Sequence, residues 1–137
     1  MKNLILICFL LSFNSVLFGQ EKTKPFKDGE WLKYKMSYSG FFKAGTAELT
    51  LKETDLNGKK VFHAKGFGKT SDFIGWFFKV RDTYQSYFDY TKVKPYLFKR
   101  DVNEGGYIIK RDIQFNQETK IATVEDFKYN TTKEVSF

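Results

Sequence analysis

The stretch Tyr96-Leu97-Phe98-Lys99-Arg100-Asp101-Val102-Asn103-Glu104-Gly105-Gly106-Tyr107-Ile108-Ile109-Lys110-Arg111-Asp112-Ile113 decides the fold. Gly105-Gly106 suits a two-residue hairpin turn, because the type I′ form needs positive φ at both central positions. Folding the chain about that turn sets Val102 against Ile109 and Phe98 against Ile113. On the opposite face Asp101 meets Lys110 and Lys99 meets Asp112. Apolar beside apolar and acid beside base is the pairing that stabilises an antiparallel ladder. The same register puts Arg100 opposite Arg111 on the apolar face. With Gln117-Glu118-Thr119 as the next loop, Glu125 falls opposite Arg111 and Ile121 opposite Phe115. The apolar face then holds Arg100, Arg111 and Glu125 among Phe98, Val102, Ile109, Ile113 and Phe127.

Working outward, the same period of two recurs. Leu32, Tyr34, Met36 and Tyr38 share one face, with Lys33, Lys35 and Ser37 on the other. Ala47, Leu49 and Leu51 alternate with Thr46, Glu48, Thr50 and Lys52. Asp55-Leu56-Asn57-Gly58 supplies a turn, since Asn and Gly tolerate positive φ. Further strands are expected near 60–67, 80–88, 96–102, 107–115 and 121–129, with a last one over Glu134–Phe137. Strands this evenly spaced predict a mainly all-β fold: an antiparallel meander forming a curved sheet or a partly open barrel. One segment, residues 71–79, breaks the alternation. Ser71-Asp72 suits a helix start, and Phe73, Trp76 and Phe77 follow at helical spacing, so a short helical or aromatic crossover is expected there.

Composition bounds the rest. The 137 residues suffice for one domain. Aromatics at 19% exclude a disordered chain, and 10 glycines without a period exclude collagen. Residues 1–19 read as an export signal: Lys2, an apolar run from Leu4 to Phe18, then Gly19 and a polar stretch. That run is too short and interrupted for a spanning helix, so no transmembrane span is expected once it is removed. Residues 20–28 read as a short linker and 29–137 as a single β-rich domain. The one cysteine, Cys8, lies inside the signal. The exported domain therefore has no disulfide, no reactive thiol and no thiolate metal ligand. The net charge of +7 changes little on removal, since Lys2 is the only charge lost.

No catalytic residue, cofactor or metal site emerges from the motifs. Gly68-Lys69-Thr70 ends like a phosphate-binding loop, but His63 stands where the first glycine is required, and the residues between continue a strand. His63, the single histidine, has no serine or acid tied to it by a recognisable motif. Glu125 and Asp126 point to opposite faces of a strand and cannot form a catalytic pair. Lysines interleaved with aromatics invite single-stranded nucleic acid. An exported domain rarely meets it, and solvated strand faces or edge-guarding lysines give the same pattern. Attraction to an anionic membrane surface is a further reading of the basic balance.

Gly29-Glu30-Trp31-Leu32-Lys33-Tyr34, Ser37-Tyr38-Ser39-Gly40 and Lys43-Ala44-Gly45-Thr46-Ala47 carry a resemblance, as do Trp76 to Tyr84 and Arg100 to Tyr107. Over Phe26 to Phe137 the chain resembles exported bacterial proteins catalogued as domain of unknown function 3108. The resemblance implies a Gram-negative cell-envelope protein, periplasmic or outer-membrane-associated, with a curved β-sheet. It implies no reaction and no catalytic residues. Family members usually continue beyond this length, so the C-terminal part is expected to be missing.

These readings converge on a non-enzymatic binder or carrier of a lipid or other anionic amphiphile. Arg100 and Arg111, with Glu125, would meet the head, and Phe98, Ile109, Ile113 and Trp76 would line the cavity. One alternative is a structural module pairing through a sheet edge with another envelope protein. Another is a hydrolase of envelope glycans or lipids.

Overall fold

The computed structural model describes residues 25–40 and 42–137. The export signal expected over residues 1–19 lies outside them. Eight strands follow in chain order: β1 (Trp31–Tyr38), β2 (Phe42–Leu56), β3 (Lys59–Thr70), β4 (Val80–Asp89), β5 (Pro95–Glu104), β6 (Tyr107–Asn116), β7 (Ile121–Asp126) and β8 (Thr131–Ser136). A six-residue helix, α1 (Asp72–Phe77), crosses from β3 to β4. The strands form one sheet in the order β1-β2-β3-β4-β5-β6-β7-β8, every pair antiparallel. The meander is an open sheet, in which β1 and β8 are the two edges.

The central hairpin has the expected register. Val102 pairs with Ile109, Phe98 with Ile113, Lys99 with Asp112, and Arg100 with Arg111. Gly105 and Gly106 have φ of 59° and 93°, as a type I′ turn requires. Lys99 Nζ reaches Asp112 Oδ2 at 2.6 Å. Asn57 and Gly58 turn β2 into β3 with φ of 53° and 80°.

The next hairpin differs from expectation by one residue. Asn116 Oδ1 accepts the backbone N–H groups of Glu118 and Thr119, and Lys120 takes φ of 58°. An Asx turn of this kind draws Lys120 into the loop. The loop is therefore 117–120, and Asn116 pairs with Ile121. The one-residue slip moves the opposite face of β7 inward. Asp126, not Glu125, stands opposite Arg111, and Ala122, not Ile121, opposite Phe115. Glu125 lies on the reverse face beside Asp112. The strand expected over 121–129 ends at Asp126. There Asp126 Oδ1 accepts the N–H groups of Lys128 and Tyr129 and starts the turn into β8.

Burial on the apolar face is uneven. Leu51, Phe62 and Phe88 form a core cluster joined by Phe26, Ala64 and Tyr90. Phe26, within the segment read as a linker, sets its ring edge-on against Phe62 and Phe88 at 6.0 and 5.5 Å. Val102 is fully buried and Ile109 nearly so. Leu32, Tyr34, Met36 and Leu49, on the same face of β1 and β2, are exposed. The turn between β4 and β5 is held by Asp89, whose Oδ1 accepts the Thr91 and Lys92 N–H groups and the Thr91 hydroxyl. Those bonds, backbone first, hold the Asp89 carboxyl far below the usual carboxylate range.

Two outcomes follow for stability. Phe62→Ala should cost about 3–5 kcal/mol in urea unfolding, whereas Phe77→Ala on α1 should stay within about 0.5 kcal/mol. Because the folded carboxyl of Asp89 titrates below its unfolded value, its contribution is complete above that unfolded value and fades as pH falls through the folded one. Asp89→Asn should therefore lower stability at neutral pH and flatten the loss of stability between about pH 5 and pH 2.

Candidate functional site

The ladders align side chains in rows running across the sheet. One row on the apolar face reads Leu32, Leu49, Gly66, Tyr84, Arg100, Arg111, Asp126, Thr131, one residue from each strand. It is apolar at the β1 end and charged at the β6–β7 end. The adjacent row reads Tyr34, Ala47, Gly68, Asp82, Val102, Ile109.

A hollow opens where these rows cross β2 to β4. Its volume is about 460 Å³, within the range typical of ligand sites. Its floor is Ala47, Gly66 and Gly68, and its walls are Met36, Leu49, Ile74 and Tyr84. The wall is apolar except for Lys69, Thr70 and Asp82 near its edge. Glycine inside a strand marks a place where something approaches the backbone closely. At Gly68 a Cβ would meet nothing within 4 Å, so the absent side chain is itself the space. At Gly66 a Cβ would stand 3.2 Å from Leu49 Cδ2.

Beyond Tyr84 stand the two guanidiniums. Arg111 Nε donates to Asp126 Oδ2 at 2.5 Å. Asp126 is 8% exposed and makes the turn contacts already described. The Arg111 bond, set against some desolvation, holds the Asp126 carboxyl below its ordinary range. Arg100 is arranged differently. Its guanidinium lies over the Tyr84 ring, 5.7 Å from the centroid. Its Nε is buried and has no hydrogen-bond partner. No carboxylate among the described residues pairs with it: Asp82, the nearest in register on β4, accepts the Asn103 N–H instead. A buried cationic donor left unmatched is costly unless a counter-group arrives.

The structure thus separates the residues expected to act together. Arg100 and Arg111 share the face. Glu125 does not, and Asp126 takes its place. Phe98, Ile109 and Ile113 lie on the same face, but in the layer flanking the arginines rather than around the hollow. Trp76, expected to line the cavity, is 81% exposed and borders a different groove with Lys69, Lys79 and Arg81. Ile74 is the residue of α1 that reaches the hollow. Met36, Ala47, Leu49 and Tyr84 line it without having been singled out. The signal that could have found them was the pair of strand glycines, Gly66 and Gly68.

Other places hold less chemistry. His63 Nε2 lies 2.9 Å from Gln85 Oε1, and its ring stacks on Tyr87 at 4.2 Å, on the reverse face. Burial pushes its pKa down, Gln85 opposes this, and Lys65 and Lys52 add to the lowering. No cluster of metal-ligating side chains occurs among the described residues. A hollow of about 720 Å³ near the 117–120 loop is lined by the amides of Asn57, Gln114, Asn116 and Gln117 together with Tyr96, Lys59 and Glu118, the last two not joined in an ion pair.

No curated protein and no solved structure matches the chain. A family model described as "Protein of unknown function (DUF3108)" matches residues 33–137. That span takes in the row from Leu49 onward, with both arginines, and the chain belongs to this family.

Proposed function

We propose that this is an exported binding protein for an amphiphile with an anionic head. The observation that carries the reading is the graded row. The hollow above Gly66 and Gly68 accepts an apolar tail. Arg100, two strands and ~10 Å farther along the row, offers a donor with no partner of its own. A carboxylate or phosphate at that point would meet the half-buried Arg100 guanidinium and match its charge. Arg111, already tied to Asp126, orders the far end of the row and is not required to bind. The export address rests on the sequence of residues 1–19.

The hydrolase alternative finds less support. The carboxylates on this face are Glu53, Asp55, Asp82, Glu104 and Asp126. Glu53 binds Lys60, and Asp126 binds Arg111. Asp82 and Asp126 are three strands apart, ~14 Å by strand spacing, beyond the roughly 5–9.5 Å of a glycosidase pair. Asp82 and Glu104 are diagonal neighbours at about 7–8 Å, but Asp82 accepts the Asn103 N–H and Glu104 does not line the hollow. An interaction module remains compatible with the exposed edges β1 and β8, but Lys33, Lys35 and Lys133 on those strands work against strand addition.

The test is displacement of a fluorescent fatty acid from the purified protein, with native mass spectrometry for co-purified lipid. The wild type should bind the probe. Gly68→Leu should abolish binding while the far-ultraviolet circular dichroism stays unchanged. Arg100→Ala should weaken a fatty acid about 10- to 100-fold but leave the matching fatty alcohol unaffected. A wild type that ignores the probe, or a Gly68→Leu variant that binds it normally, removes the proposal.

A further inference from the structure

One end of the sheet is unlike the other. The β1–β2 turn, the α1 crossover and the β5–β6 turn meet there. Of the six residues of α1, none is buried. Phe73, Trp76 and Phe77 are 58%, 81% and 69% exposed, and Phe78 after them is 52% exposed. Phe42 and Tyr38 stand exposed beside them, with the Phe42 ring 5.2 Å from that of Phe73. At the opposite end, the turns at 57–58, 90–94 and 117–120 expose Val93, and the strand ends there expose Trp31 and Phe137, which are not gathered into one cluster of rings.

This tip is held firmly. Ser71 N–H donates to the Ala44 carbonyl and its hydroxyl to the Lys43 carbonyl. Val80 N–H donates to Thr70 Oγ1, and Gly105 N–H to the Lys79 carbonyl. Phe78 packs its ring against the backbone of Gly105, where a Cβ would come within 2.3 Å of it. Ser71 occupies the helix N-cap position, but its hydroxyl is used to tie α1 to β2 and caps no helix amide. The backbone is thus bonded from both sides while its aromatic rings project outward.

The charges around the rings have one dominant sign. Lys69 and Arg81 face each other across β3 and β4. Like charges directly opposite disfavour a pair unless an anion lies over them. With Lys79 they line a groove of about 430 Å³ under Trp76, in which Asp72 is the one acid. Lys43 is exposed on the other flank. None of these four cations is in an ion pair with a described acid. Glu104, at the close of β5, and Asp82, which accepts the Asn103 N–H, are further acids near this end, both half-buried.

From these observations we propose that the α1 end docks on the surface of an anionic phospholipid bilayer. Trp76, Phe77 and Phe73 enter the headgroup region, and Lys43, Lys69, Lys79 and Arg81 meet lipid phosphates. Aromatic rings flanked by lysine and arginine are the side chains that the bilayer interface favours. No helix among the described residues is long and apolar enough to cross a membrane, so the contact is peripheral. The site adjoins the hollow: Ile74 of the same helix and Lys69 form part of that hollow's wall. An amphiphile leaving a bilayer at this tip would have the shortest path to Gly68.

The test uses the purified protein and vesicles of phosphatidylcholine with or without phosphatidylglycerol. Trp31→Phe leaves Trp76 as the sole indole reporter. Expected are co-sedimentation with phosphatidylglycerol vesicles, a blue shift of Trp76 emission, and loss of both in high salt. Trp76→Ser with Phe77→Ser should weaken binding about tenfold or more. Lys79→Ala and Arg81→Ala should each weaken it about fivefold. Gly68→Leu should leave it unchanged, which separates this proposal from that of the ligand hollow. Equal binding to neutral vesicles, no blue shift, or dimerisation in solution that is lost in the Trp76→Ser, Phe77→Ser variant would overturn it.

Discussion

The constraint on which the structure depends is that a single antiparallel sheet has two faces and must do something with the apolar one. Globular domains normally bury such a face against a second layer. Here the cover is partial. Phe26 closes the region of Leu51, Phe62 and Phe88, and Val102 and Ile109 bury themselves near the β5–β6 hairpin. Between these patches Met36, Leu49, Gly66, Gly68 and Tyr84 surround open space. The ladder hydrogen bonds keep the sheet in register without filling that space, so the hollow comes from the architecture together with two missing side chains.

The two inward arginines divide the remaining work. They are paired by register, yet their surroundings are opposite. Arg111 is neutralised by a carboxylate that also fixes a turn, so it is part of the frame. Arg100 stacks on an aromatic face and has a buried donor with nothing to donate to. A stacked guanidinium is positioned without being satisfied. The α1 end shows the same economy in another form: its backbone is bonded into the sheet, and its rings are left to the surroundings.

Much of the fold could be read directly from the residues. Gly105-Gly106 set the register of the central hairpin, because only one alignment places Val102, Ile109, Phe98 and Ile113 together and Lys99 with Asp112. The neighbouring hairpin was misread by a single residue. Nothing in the alternation of 107–126 distinguishes a three-residue loop from a four-residue one. The distinction lies in the Asn116 side chain capturing two amides, a local hydrogen-bond choice that hydrophobic patterning does not record. That slip exchanged Glu125 for Asp126. Trp76 was misplaced for a related reason. Helical spacing puts Phe73, Trp76 and Phe77 on one face but does not say whether that face looks inward.

The sequence by itself determined the strand count, the antiparallel order, the helix position and the presence of two arginines on one side of the central hairpin. All of these follow from local chemistry: side-chain period, turn residues and cross-strand charge pairing. Only the tertiary structure decided which acid meets which arginine, which face of α1 is exposed, and that Gly66 and Gly68 stand beneath an opening. Those outcomes depend on residues far apart in the chain arriving at one place, and a pattern confined to neighbours along the chain carries no information about that meeting.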